Sequence, residues 1–557
     1  MQLNLIESIG DFNPQLLREF KGRLKLPNVL ITVVVSLVWQ FWQFESLYLR
    51  LSVKICGTNS TYYKADQCLE ESAGNWIIKW SHLWKELFVS LSMMSILILL
   101  VGGTFLLISD LCQEERRGTL NFIRLSPQSE KSIILGKMLG VPVLLYLLVI
   151  VALPFHWWAA LAAGIPVGKI LFVYTIIVAS CMLFYPAALL CSLIVAGRSR
   201  LMSWLGWLMP WLGSSVVLAF LFVMIEPPWV CIDYPLAWLR LFSPFDPIIY
   251  LFQDNYYEYY DNCHWFGSGW QWYYLPVGAS DLSFVGFVVL NYGLLSYWIG
   301  QGLKRCFRNP NATIVSKQQS YLLVACLEIL ILGCFGQEEP QYPFHNWASN
   351  QLHYLAFFNA VLLFGLIAIL SPSRQILQDW ERSRREQFPN SRGFPNSILV
   401  QDLVLGHNSP AVLAMAINIA IAIIPLVIWS LFGPFDYQHK IQALLNVALF
   451  VSLMMISATT AQLMLMLKTQ KRALWATGTV VAAVLLTQVI LAMLGFQFDY
   501  NPLLGPFSIF PSANIEHTAM TTVFMAILGK WIVLALLNLQ LTRQLRRAGE
   551  SASQCSQ

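Results

Sequence analysis

Six consecutive residues, Glu114, Glu115, Arg116, Arg117, Gly118 and Thr119, break an otherwise apolar chain. About twenty apolar residues precede them, and another apolar run follows. Two acids, Glu114 and Glu115, stand beside two bases, Arg116 and Arg117. They suit recognition, because mixed charge gives register to a docking surface while neighbouring apolar side chains give affinity. Leu120, Ile123 and Leu125 supply those apolar residues in the "LNFIRL" that follows. The spacing predicts a short helix with one apolar side. The plainer alternative is a solvated loop whose charges only obey topology.

Residue sets that would signal an enzyme are missing from the sequence. A phosphate-binding loop needs G-x-x-x-x-G-K-[ST], so that backbone amides cradle phosphate and the hydroxyl binds magnesium. "GIPVGKI" at 164–170 has three residues between its glycines and Ile170 where the hydroxyl belongs. Asp66, Glu70, Glu71, Asp246 and Asp254 form no D-x-D-like pair of the kind a membrane glycosyltransferase would use. The eight histidines are scattered and no His/Cys metal spacing emerges. No catalytic residue, metal site or cofactor site is therefore expected in this chain.

The elements that must position the charged loop follow from composition. The chain has 557 residues, 57% hydrophobic and 12% charged, with a mean hydropathy of +0.58. Soluble domains carry roughly 25% charged residues. A membrane span needs about 20 apolar residues and must satisfy its backbone internally, hence as a helix. The expected fold is all-α and polytopic, with twelve spans at 28–48, 86–109, 133–153, 170–196, 201–225, 279–302, 319–336, 351–370, 409–431, 442–467, 473–495 and 519–540. Lys and Arg number 25 in the loops alternating with residues 1–27 and 8 in the opposite set. Positive charge stays inside. Both termini and the 110–132 loop are thus expected in the cytoplasm. A net charge of +5 argues against a nucleic-acid partner.

Three further features fit this topology. In 1–27, Asn13 can cap a helix that starts at Pro14. Leu16, Leu17, Phe20 and Leu24 recur at helical spacing with Arg18, Lys21, Arg23 and Lys25 around them. The expectation is an interfacial helix lying on anionic lipid, or simply a positive-inside anchor. Cys56, Cys68, Cys231 and Cys263 fall in external loops, where they could form disulfides. The external loop 226–278 is rich in aromatic residues, which favour the membrane boundary.

The chain reads as two halves, 28–318 and 319–557, of six spans each, the second a degenerate repeat with a tail at 541–557. "LFSPFDPI" at 241–248 and "LLGPFSIF" at 503–510 precede the two sixth spans. Ionisable residues inside spans are few: Glu328 and Lys530 stand away from span ends, Glu45 and Lys137 near them. Such residues mark ion pathways when they are functional. Twelve spans also describe ion-gradient-driven major-facilitator transporters, but so few ionisable groups disfavour a proton relay.

"EERRGTLNFIRLSPQSEKSIILGKMLG" resembles the segment between the second and third spans of ABC-2 type transporter permeases. Glu115, Arg116, Gly118, Thr119, Leu120, Ser126, Pro127, Gly136 and Lys137 match that pattern. "NPQLLREF" and "RLFSPFDPI" resemble two other phrases of the family. The likeness covers the first half; in the second, "SPSRQILQDWERSRRE" has no Gly-Thr-Leu. The resemblance implies a permease of the bacterial inner membrane, an exporter driven by two cytoplasmic ATPase subunits that bind ATP and Mg. It also implies that Glu114–Thr119 is the coupling loop on which they push. The permease would be paired, either as a homodimer or as a pseudo-dimer within one chain.

Overall fold

A computed structural model describes residues 13–52, 68–71, 75–196, 208–223, 238–252, 271–309, 312–335, 347–387, 397–406, 408–432, 437–469, 471–486 and 520–550. The chain divides into two compact units, Met1–Pro310 and Asn311–Gln557. Both are helical. In the first, α1 (Pro14–Arg23) leads into α2 (Leu26–Leu49), then a two-stranded hairpin, β1 (Cys68–Glu71) and β2 (Asn75–Ile78). The strands are antiparallel, with Cys68 opposite Ile78 and Glu71 opposite Asn75. This hairpin is an addition to the all-α expectation.

Then come α3 (Trp80–Leu97), a π-helical turn at Ile98–Gly102, and α4 (Gly103–Arg116). These three run on as one apolar helix, Trp80–Arg116. The hydroxyl of Tyr185 donates to Leu99 O inside the π turn (3.0 Å), and Gly103 makes room for its ring. A β-carbon at Gly103 would stand 2.5 Å from that hydroxyl oxygen. Next are α5 (Thr119–Arg124), α6 (Glu130–Gly140), α7 (Val143–Ala162), α8 (Val167–Ala196), α9 (Met209–Val223), α10 (Phe245–Phe252) and α11 (Asp281–Arg308). Helices α8 and α11 pack along much of their length, α4 packs on α8 and α9, and α7 packs on α2 and α3.

The second unit holds α12 (Lys317–Leu332), α13 (Trp347–Leu370), α14 (Arg374–Gln387), α15 (Ser397–Leu405), α16 (Val412–Phe432), α17 (Tyr437–Leu465), α18 (Arg472–Val481) and α19 (Met520–Glu550). Its core joins α12, α13, α16 and α17 through residues such as Val324, Leu363, Leu366, Met415, Ala422 and Met454.

Eight helices among the described residues are long and apolar enough to cross a membrane. A ninth is counted if α13 and α14, bent by 66° at Ser371–Ser373, make one broken span. The chain is a multi-pass membrane protein. The described residues do not show all twelve expected spans. α9 and α12 are shorter than a span, and α18 with its π-helical extension ends at Leu486, beyond which the expected span 473–495 leaves the described residues. The run 133–153 is not one helix. It breaks at Val141-Pro142, so that α6 is a separate short helix and the span is Val143–Ala162. A proline there lacks the N–H that a continuing helix would use. Apolar composition alone cannot tell a span from a buried short helix.

The aromatic segment 226–278 is anchored where it is described. Arg240 and Asp246 form a buried ion pair, Nε to Oδ2 at 2.7 Å, just before and inside α10. Trp238 Nε1 donates to Asn291 Oδ1 on α11 (3.0 Å), and Tyr292 Oη donates to Leu241 O (2.6 Å). Cys68 is disulfide-bonded. Cys56, Cys231 and Cys263 lie outside the described residues.

Candidate functional site

The charged loop hangs on a buried cluster that the sequence does not announce. Asp110 and Glu114 stand one turn apart at the end of α4, so they share a face. Into that face reaches Lys137 from α6. Its Nζ lies 2.7 Å from Asp110 Oδ2, 2.7 Å from Glu114 Oε2 and 3.9 Å from Glu19 Oε1 on α1. Lys137 is only 2% exposed. Arg23, also on α1, closes the other side, with Nη2 2.7 Å from Asp110 Oδ1 and Nε 3.2 Å from Glu19 Oε2. Gln15 Nε2 donates to Glu19 Oε1 (3.0 Å). Arg18 stands at the rim, 57% exposed and 4.0 Å from Glu114.

Three carboxylates thus meet two buried or half-buried cations and a third at the surface. Oxygens of Glu19, Asp110 and Glu114 all lie within 4.8 Å of one another, close enough for a metal ion. The Lys137 ammonium occupies that position, so the cluster is an internal salt bridge. Burial disfavours the charge on Lys137, and the Asp110 and Glu114 carboxylates more than offset it, holding its pKa above the ordinary 10.5. The sign follows from linkage: a raised lysine pKa adds stability below the unfolded value of 10.5, lost only above it. At neutral pH the anchor is fully formed.

The local sequence explains how α1 comes so near. Asn13 Oδ1 accepts from Gln15 N and Leu16 N (both 3.1 Å), as an N-cap does, while its Nδ2 donates to Ser132 O (2.7 Å). Gly136 and Gly140 give α6 a bare stripe. A β-carbon at Gly136 would sit 2.9 Å from Asn13 Oδ1, and one at Gly140 2.5 Å from Glu19 Cβ. The Gly-Lys of the resemblance therefore has a physical content here: glycine admits α1 and lysine fastens it.

This corrects one expectation. Of the four cations read as facing lipid, Arg23 is turned inward onto Asp110 and Glu19. Lys21 and Lys25 are exposed, as is Arg18. Helix α1 is docked on α6 through its charged side, with Leu16 buried beside it.

Beyond the anchor, Glu115 is half-buried, and Arg116, Arg117 and Gly118 are exposed. Gly118 turns the chain at φ +71°, the left-handed region in which glycine is unstrained. Thr119 then starts α5, its hydroxyl donating to Glu114 O (3.2 Å). Helix α5 buries Leu120 and Ile123 and turns Phe122 (76% exposed) and Leu125 (84% exposed) outward. The sequence reading placed Leu125 on the same side as Leu120 and Ile123; it stands instead with Phe122. The exposed face thus combines two large apolar side chains with Arg116 and Arg117.

The other candidates are dispersed. Glu328 is buried inside the second unit and Lys530 is half-buried midway along α19. One pairing was invisible in the sequence: Ser92 Oγ and His156 Nε2 lie 2.8 Å apart, with Tyr174 Oη 2.8 Å from Nδ1. Ser92 donates its proton to Phe88 O (2.8 Å), so its hydroxyl can only accept from Nε2. The set closes with Nε2–H donating to Ser92 and Phe88 O, and Nδ1 accepting from Tyr174. This trio ties α3, α7 and α8 together.

Compared with protein-family models, curated proteins and solved structures, the chain matches none of them.

Proposed function

We propose that this chain is the membrane-spanning subunit of an ATP-driven transporter of the ABC-2 permease type. In this reading Glu114–Thr119 and α5 face the cytoplasm and receive a separate ATPase subunit, which binds ATP and Mg. The observation that carries it is the pair Phe122 and Leu125, presented to solvent on a helix outside every span, next to two free-standing arginines. An exposed apolar pair rimmed by charge is the composition of a docking surface.

The buried anchor gives such a surface leverage. A push on α5 passes directly to Glu114, through Lys137 to α6, and through Asp110 and Arg23 to α1. Each of these helices abuts a span: α4 is the end of one, α1 leads into α2, and α6 into α7. A load on the loop would thereby move three spans together. Helix α14, which stands at the corresponding place in the second half, lacks such a surface, since Leu377 and Trp380 are buried. Two ATPase subunits then call for two copies of this chain. The transported substrate, exported in this reading, is not specified by these residues.

The test is co-purification from native membranes followed by a search for a P-loop ATPase. Phe122→Ser with Leu125→Ser, and separately Glu115→Lys with Arg116→Glu, should release that subunit while the chain stays inserted. Retention of the ATPase by both variants, or substrate transport by the lone chain driven by an ion gradient, would defeat the proposal.

A further inference from the structure

Glu328 is 3% exposed, and neither carboxyl oxygen finds a hydrogen-bond partner among the described residues. It stands on α12, eleven residues past Lys317, about 16 Å along the helix axis. Lys317 is fastened at the near end of that helix, its Nζ donating to Leu403 O (2.7 Å), Ser409 Oγ (2.6 Å) and Pro410 O (3.1 Å). It cannot reach Glu328.

The polar group beside Glu328 is Asn359 on α13, yet no hydrogen bond of acceptable geometry closes between them. Asn359 Nδ2 is directed to Ala422 O on α16 at 3.5 Å, and Asn359 Oδ1 is left without a donor. Val324, one turn before Glu328, and Leu363, one turn after Asn359, are buried in the apolar core. Both Glu328 oxygens and Asn359 Oδ1 are therefore acceptors left without a donor among the described residues. An ionised carboxylate with no cation in an apolar interior is the costliest arrangement a side chain can adopt. One proton removes both difficulties: it neutralises Glu328 and supplies the donor that Asn359 Oδ1 lacks.

Among the described residues of α12, α13, α15 and α16, Lys317 is the one lysine or arginine. Helix α16 has no titratable residue. In α15 the only one is Asp402, an acid, which accepts from Trp380 Nε1. Helix α13 carries His353 and Tyr354, five or six residues before Asn359. Helix α12 itself carries Lys317, Tyr321, whose hydroxyl donates to Val404 O, and Cys326; Cys334 follows just after it.

We propose that Glu328 and Asn359 form a proton-binding site within the bundle of α12, α13 and α16, occupied as a carboxylic acid whose O–H is donated to Asn359 Oδ1. Release of the proton leaves a bare carboxylate facing an amide oxygen, so the ionised state requires α12 to part from α13 and admit water. Protonation is thereby coupled to the packing of the second unit. This inference is independent of the docking surface on α5.

The test uses the full chain in lipid vesicles and a hydrophobic carbodiimide. The reagent needs a protonated carboxyl: the acid gives its proton to a carbodiimide nitrogen, its oxygen bonds to the central carbon, and the O-acylisourea rearranges to an N-acylurea with nothing lost. Peptide mass spectrometry should find the adduct on Glu328 at neutral pH, decreasing as the pH is made alkaline, and missing from Glu328→Gln. Asn359→Ala should cut proton affinity about tenfold, moving the midpoint of labelling down by about one pH unit. A midpoint that rises would mean that Asn359 donates to a carboxylate, and would overturn the site. So would failure to label Glu328, a yield indifferent to pH, or protection by sodium ion at fixed pH, which would make the ligand a metal cation.

Discussion

Replacing Lys137 by methionine should reveal the anchor most directly. Methionine fills nearly the same volume, so the change removes a charge rather than a packing element. Glu19, Asp110 and Glu114, with oxygens within 4.8 Å, would be left with Arg23 as their one inward-facing cation. Arg23 already serves Glu19 and Asp110, so Glu114 becomes the uncompensated charge. Removing one partner of a buried ion pair costs about 3–5 kcal/mol. For a body of 310 residues, about 2 °C of unfolding temperature goes with each kcal/mol, so the midpoint in detergent should fall by about 6–10 °C.

Arg18→Ala is the contrasting variant. That pair is 4.0 Å long with its arginine side chain 57% exposed, so solvent screening leaves about 0–1 kcal/mol. Its midpoint should drop by at most about 2 °C and should depend on salt. The double variant Lys137→Met with Glu114→Gln removes one charge of each sign and should regain more than half of the loss. The reasoning fails if Lys137→Met unfolds no earlier than Arg18→Ala, or if the double variant is no better than the single.

Three further outcomes can be read in the same unfolding assay. Gly140→Ala sets a β-carbon 2.5 Å from Glu19 Cβ and should cost about 1–3 kcal/mol by lifting α1, whereas Gly300→Ala, with nothing within 4 Å, should be neutral or slightly stabilising. Arg240→Met breaks a buried ion pair with Asp246 and should cost up to about 3–5 kcal/mol; adding Asp246→Leu should restore part of it. Leu377→Ala empties a fully buried position against Leu541 and Leu545 and should cost about 2–5 kcal/mol, without any loss of a bound ATPase.

Much of the framework was legible because lipid imposes a crude and strong rule. Long apolar runs at 28–48, 86–109 and 170–196 became helices that cover them, and those at 279–302 and 409–431 became helices that start two or three residues late. The N-cap Asn13 with Pro14 was readable from local chemistry alone. The anchor was not, since Glu19, Asp110 and Lys137 are joined by tertiary packing across 91 and 27 residues of chain. A lone Lys137 in an apolar run reads as a snorkelling cation until its carboxylates are in view. The break before α7 did leave a mark, Pro142, which apolar counting overrode. The 66° bend after α13 likewise carries Ser371-Pro372-Ser373. Orphan oxygens at Glu328 and Asn359 depend on which side chains fail to meet, a property that no residue pattern encodes.

The segments that follow α4 and α13 treat their apolar residues in opposite ways. After α4 the chain turns through Gly118 into a six-residue helix that keeps Phe122 and Leu125 in solvent. After α13 it bends instead into the fourteen-residue α14, whose apolar side is consumed by α19 through Leu377, Leu541 and Leu545. Asp402 accepts from Trp380 Nε1, and Arg384 lies over the Trp380 ring at 5.4 Å, so that face has nothing left to offer a partner. A surface that has buried its apolar residues gains stability and gives up recognition; one that exposes them does the reverse. In the first unit an ion cluster lies buried beside that exposed helix, tying α1, α4 and α6 together. A rigid base under an exposed apolar tip suits the load transfer proposed above, and of the segments after α4 and α13 the first has both among the described residues.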